Sequence, residues 1–148
     1  MSKVDLSFSK DGTKVKIDLV FLMLHGSPAE DGKLQGYLEI IGIPYTGCDV
    51  LVSSLTFDKQ ACKIFLKNYD IPMADSQLVR RGEKVNVNQI AKMGFPQFVK
   101  PNKNGSSYGI TKVNEKSEIK SGIEKAMQFD DEVIIEAFLK GREFSNGV

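Results

Sequence analysis

The sequence predicts a mixed chain, α/β up to about residue 70 and α+β with an antiparallel sheet after it. Three observations predict it. Ile17–Leu24 (IDLVFLML) is almost uninterrupted apolar sequence, the pattern of a strand covered on both faces as in a parallel sheet. From about Met73 the order reads strand, helix, strand, loop, strand, helix, strand, strand, which suits an antiparallel lobe. Between the two, Ile71-Pro72 ends a helix, because proline disfavours helical backbone in the residue before it.

A chain of 148 residues is long enough for one good core or two small lobes. Its 41% hydrophobic and 26% charged residues place it with soluble globular proteins. A net charge of +1 supplies no general attraction for nucleic acid, so any anion must be held by a local patch. Cys48 and Cys62 have no metal-type spacing, and one histidine cannot complete a ligand set. No apolar run reaches the roughly 18 residues of a membrane span, and Met1–Lys14 has no signal-peptide core. A cytoplasmic protein without nucleic-acid or membrane partners is expected.

Taken in order, Lys10-Asp11-Gly12-Thr13 reads as a hairpin turn between two weak strands. The apolar run ends at His25-Gly26, and positions just past a strand's C-terminus often carry function in open α/β sheets. His25 and Glu30 become candidates on that ground. A lone histidine is more often a structural hydrogen-bonder, and that alternative stands beside it. Lys33–Ile41 is a helix with Leu34, Tyr37, Leu38 and Ile41 on one face, stopped by Gly42. Asp49–Phe57 is a second helix. A third begins near Asp58, with Cys62, Phe65, Leu66 and Tyr69 on its apolar stripe.

Lys59 lies in the first turn of that third helix, where the macrodipole disfavours a cation and a bound anion would relieve it. A solvated surface lysine is the plainer alternative. Met73–Val79 reads as a strand, Asn88–Lys92 as a short helix, and Gly94-Phe95-Pro96 as a turn. Asn114 is a candidate cap for a helix carrying Ile119, Ile123, Ala126 and Met127. Glu132–Phe138 is a strand, and Phe144–Val148 a last one.

The stretch Gln97–Gly109 (QFVKPNKNGSSYG) concentrates the candidate chemistry. A strand ends in the cation Lys100, and a loop of small and polar residues follows. Its backbone N–H groups, with the hydroxyls of Ser106 and Ser107, can converge on an anion such as a phosphate. Gly105 and Gly109 allow positive φ and close approach. An ordinary hairpin with a solvated lysine has the same composition.

Five stretches together resemble one family. LHGSPAEDG (Leu24–Gly32), LQGYLEIIGIPYTG (Leu34–Gly47), FDK (Phe57–Lys59), GFPQFVKPNKNGSSYGI (Gly94–Ile110) and IIEAFLKGREF (Ile134–Phe144) are similar to D-alanine–D-alanine ligases of the ATP-grasp superfamily. The resemblance implies the end of a pre-ATP-grasp domain over residues 1–70 and the first ATP-grasp lobe over 71–148. It also implies an ATP-dependent ligase of peptidoglycan precursor synthesis, joining D-alanine through an acyl phosphate. Lys59 and Lys100 resemble the lysines that hold the ATP phosphates, with Ser106 and Ser107 in the loop that closes over them. Glu136 resembles the residue beside the adenine amine, Ala137, Phe138 and Leu139 the hinge against the base, and Glu143 the carboxylate on the ribose. His25 and Glu30 resemble residues near the first substrate.

Members of the family also carry an upstream glycine-rich substrate loop and a second lobe holding Mg²⁺. The resemblance therefore implies a portion of a longer ligase, with no metal site of its own, that neither joins D-alanine nor binds Mg·ATP tightly. A D-alanine–D-lactate or D-serine ligase, and a non-catalytic nucleotide-binding or oligomerising module, are the alternatives. A homodimer is expected.

Overall fold

The computed structural model describes residues 5–145. The described chain divides into two compact units, and the division passes through a helix between Cys62 and Lys63. One unit runs to Cys62 and takes in Asn104–Ser106; the other comprises Lys63–Lys103 and the chain from Ser107 on.

The first unit begins with a hairpin of β1 (Phe8–Lys10) and β2 (Thr13–Val15). Asp11 and Gly12 form its turn, both at positive φ (50° and 76°), the geometry whose twist matches two antiparallel strands. Three helices follow: α1 (Lys33–Ile40), α2 (Val50–Phe57) and α3 (Lys59–Lys67), the last crossing into the second unit. α1 stops where Gly42 takes φ of 70° and the Ile43 N–H bonds back to the carbonyl of Leu38. Asp49 caps α2 by accepting from the Val52 N–H at 2.8 Å, and Asp58 caps α3 through the Ala61 N–H at 2.9 Å.

The run Ile17–Leu24 does not form the covered strand its composition suggests. Val20 makes one parallel bridge with Tyr45, and the next acceptor along is the Thr46 hydroxyl, which takes the Leu22 N–H at 3.0 Å. With a side chain in the place of a backbone carbonyl, the ladder goes no further. Leu19, Phe21 and Met23 are accordingly exposed, at 56%, 69% and 74%.

The second unit is the antiparallel lobe the element order predicts. Its sheet has the order β3-β6-β4-β5, built from β3 (Ser76–Arg80), β4 (Gln97–Pro101), β5 (Thr111–Val113) and β6 (Glu132–Ala137). Every neighbouring pair is antiparallel. Two helices, α4 (Val87–Ala91) and α5 (Ile119–Ala126), cover one face. Alternation along the strands sends Val79, Val99, Val133 and Ile135 toward Ile90, Ile119 and Ile123 in a closed core. α5 lies close on the sheet at Gly122, where a Cβ would stand 3.2 Å from both Val99 and Val113.

Three other expectations differ in detail. α3 buries none of its residues: Phe65 is exposed and rests on the exposed Tyr69, just past the helix, ring centroids 5.3 Å apart. Asn114 is not a side-chain cap. Its backbone N–H is taken by the Glu118 carboxylate at 2.6 Å, and a 3-10 turn (Lys116–Glu118) leads into α5. Phe144 and Ser145 are not in a strand, and the remainder of the expected Phe144–Val148 strand lies outside the described residues.

Candidate functional site

In the first unit the chain turns sharply after Leu24, and the candidates gather at that turn. Glu30 folds back so that its Oε2 accepts from the Gly26 N–H at 2.7 Å. The turn is braced from α1, where the buried Gln35 donates to the Ala29 carbonyl at 2.6 Å. His25 Nδ1 stands 3.7 Å from Glu30 Oε1, and its side chain is 86% exposed. His25 is thus no buried hydrogen-bonder; its ring is open to a partner from outside.

Lys59, at the start of α3, donates to the Asn104 carbonyl at 2.8 Å, so the tip of the Asn104–Ser106 loop is tied to that helix. Gly105 lies close to Glu30: a Cβ there would stand 2.7 Å from Glu30 Oε2 and would displace that carboxylate. A cavity of about 450 Å³ is lined by Glu30, Gln35, Thr46, Ser53, Lys59 and Gly105. Around it lie a carboxylate, an ammonium, hydroxyls and the orphan Oε1 of Gln35, which has no hydrogen-bond partner.

Loop strain falls where the sequence did not suggest it. Gly109 does take positive φ (77°), but in place of Gly105 it is Ser106 and Ser107 that do (53° and 57°). A non-glycine residue there costs about 1–2 kcal/mol, and such strain gathers at ligand clamps.

In the second unit the face of the sheet away from α4 and α5 carries the candidates. Phe98 and Lys100 on β4 alternate with Val99, and Glu136 on β6 sits directly across from Phe98. Glu136 is held between two ammonium groups, Lys100 Nζ and Lys63 Nζ, the latter at 2.7 Å. Lys63 also donates to the Ala74 carbonyl at 2.6 Å. Burial raises the Glu136 pKa, but the hydrogen bonds from Lys100 and then Lys63 outweigh it and hold it below its ordinary value. Two cations against one carboxylate leave a net positive charge here.

After Ala137 the chain leaves the sheet. Ala137 bonds to the Asp75 carbonyl and Phe138 to the Pro96 carbonyl, at 2.9 and 3.1 Å. The Phe138 ring is 44% exposed, 6.1 Å from Phe98, with Lys112 Nζ 5.7 Å above it. Leu139 is exposed beside it, making an apolar ledge, and Glu143 is exposed farther on.

Lys63 is the residue the sequence reading passed over. Its signal was the i, i+4 spacing from Lys59, which sets the two on one face of α3. Among the described residues no group of three or more His, Cys, Asp or Glu is placed to hold a metal ion.

A profile described as "D-ala D-ala ligase C-terminus" matches residues 65–148, and one described as "D-ala D-ala ligase N-terminus" matches residues 2–48. The chain is similar to a D-alanine–D-alanine ligase of Phocaeicola vulgatus, 46% identical over 144 residues, covering 97% of this chain and 44% of that ligase. Among solved structures, D-alanyl-alanine synthetase A of Vibrio cholerae superposes with a TM-score of 0.85 at 29% identity, over 95% of this chain and 44% of the other. The Bacillus anthracis ligase complexed with ATP superposes at 0.76 with 39% identity, over 84% and 42%. The chain therefore spans less than half the length of the relatives it matches.

Proposed function

We propose, from the premise that this chain belongs to the D-alanine–D-alanine ligase family, that it supplies the nucleotide-gripping part of an ATP-dependent ligase. The observation that carries this reading is the Lys63–Glu136–Lys100 cluster, a net positive charge on the sheet face away from α4 and α5, next to the exposed Phe138–Leu139 ledge. A planar base against the ledge and phosphates beside the ammonium groups would satisfy both. The solved relative that carries ATP supports it.

In the reaction of such a ligase, the γ-phosphoryl group of ATP passes to the carboxylate of one D-alanine, giving an acyl phosphate and ADP. The amine of a second D-alanine then displaces phosphate and loses a proton as the amide bond forms. This chain's residues would act mainly by position and charge. Lys59 and Lys100 would hold phosphate oxygens, where negative charge is concentrated, by the general logic of phosphoryl transfer. Ser106 and Ser107, already strained, would close over the phosphates and keep water from the acyl phosphate. Glu136, with Ala137, Phe138 and Leu139, would border the base and Glu143 the ribose. His25 and Glu30 would face the first D-alanine.

The family implies Mg²⁺, but the described residues offer no fitting ligand set for it. The reading also includes a division of roles near residue 70, the cytoplasm as the compartment, and a homodimer. No described helix is long and apolar enough to cross a membrane. Ile40 and Leu51, 86% and 72% exposed, are in keeping with pairing of two copies, which sedimentation at high concentration tests.

Titration calorimetry with ATP tests the nucleotide reading. Weak binding is expected, at least tenfold weaker in Lys100→Ala. Equal heats for the two proteins would refute it.

A further inference from the structure

On the other side of the same sheet, where α4 and α5 lie, the second unit has a cleft of about 910 Å³. One wall is the segment Lys84–Asn88, which runs into α4; the other is the 3-10 turn and first residues of α5. Val85 and Val87 form its floor and pack against the closed core beneath. Three lysines line it, Lys84, Lys116 and Lys120, and no carboxylate does.

The nearby acids are engaged or lie outside the cleft's own lining. Glu83 pairs with Arg80, Glu115 accepts from the Ser117 hydroxyl, and Glu118 accepts from the Asn114 N–H. Glu83 and Glu124 line an adjoining hollow that Lys84 and Lys120 also border, while Lys116 lies outside it. None of the three lysines forms an ion pair among the described residues.

That arrangement works against the fold when the cleft is empty. Lys116 and Lys120 are like charges at i, i+4, which repel along a helix. Both also sit in the opening turns of a helical segment, where cations are disfavoured. A multiply charged anion removes both penalties at once. The side chain of Asn88, also lining the cleft, supplies an uncharged donor.

We propose that this cleft is a second anion site, separate from the nucleotide face, taking a compact polyphosphate chain between Lys84, Lys116 and Lys120. The lysines set the charge and spacing of the ligand, and the valine floor keeps the walls apart. The site does not depend on the ligase reading, since neither Lys100 nor Glu136 lines the cleft.

The experiment is an amide-resolved NMR titration of the full chain with inorganic tripolyphosphate at constant ionic strength. Saturable shifts are expected at Lys84–Asn88 and Lys116–Lys120, and they persist in Lys100→Ala. The triple variant Lys84→Ser, Lys116→Ser, Lys120→Ser weakens the apparent affinity at those amides at least tenfold. Lys116→Glu alone, at an exposed position, does so about threefold or more and covers the case of a misfolded triple variant. A parallel arm with ATP assigns the site to any polyphosphate tail if the same amides move, and to the bare chain if they move with tripolyphosphate only. Shifts that never saturate, that spread evenly over all surface lysines, or that vanish in Lys100→Ala would overturn the proposal.

Discussion

Glu136 shows how one residue couples the stability of the second unit to its chemistry. Its carboxylate is mostly buried and compensates two ammonium groups, so removing its charge leaves both facing each other. Glu136→Gln should destabilise the protein by roughly 2 kcal/mol at pH 7, read as a lower urea midpoint. Because the folded state holds this carboxyl below its ordinary 4.5, its contribution is complete above that pH and is lost as pH falls through the lower folded value. Wild type should therefore lose stability steeply below about pH 4.5, and Glu136→Gln should lose less over the same window. Glu132 adds to the acid sensitivity, its pKa lowered first by the hydrogen bond from Lys103, so the variant's curve flattens only in part. Gly32 is a second test at this scale. It has φ of 84°, and a Cβ there would lie 2.7 Å from the Val50 carbonyl, so Gly32→Ala should cost about 2 kcal/mol or more. An unchanged urea midpoint would show that α1 and α2 can move apart at little cost.

At the scale of elements, α3 and α5 carry nearly the same apolar spacing and end up in opposite situations. α5 buries Ile119, Ile123 and Ala126 against the sheet, while α3 leaves Phe65 in solvent. Ile123→Ala should cost about 3 kcal/mol, whereas Phe65→Ala should change stability by no more than about 1 kcal/mol. Matching denaturation curves for the two variants would contradict this difference. Periodicity tells which side chains share a face but not whether another element covers that face. The same reasoning explains Ile17–Leu24. Its composition reads as a buried strand, yet strand formation depends on a neighbouring backbone, and past Val20 the Thr46 hydroxyl stands in for one. In the second unit the order of strands and helices along the chain was legible from residues alone, whereas the sheet order β3-β6-β4-β5 rests on pairings distant in sequence.

For the molecule as a whole, the motifs were the most readable feature, because glycine, lysine and proline at set spacings constrain backbone and charge together. The Gly94–Ile110 stretch and the helix stop at Gly42 follow from local chemistry. What was not legible depended on contacts distant in sequence: Lys63 meeting Glu136 across 73 residues, or Lys59 meeting the Asn104 carbonyl across 45. Positive φ at Ser106 and Ser107 was hidden for a related reason, since tertiary anchoring rather than residue type sets it. The proposed function gives Lys100 and the Phe138–Leu139 ledge of the second unit to the bound nucleotide. The direct measurement is a structure of the chain soaked with a non-hydrolysable ATP analogue. Phosphate density within hydrogen-bonding distance of the Lys100 ammonium, with the base against Phe138 and Leu139, is the predicted result; no density beside Lys100 under saturating analogue would contradict it.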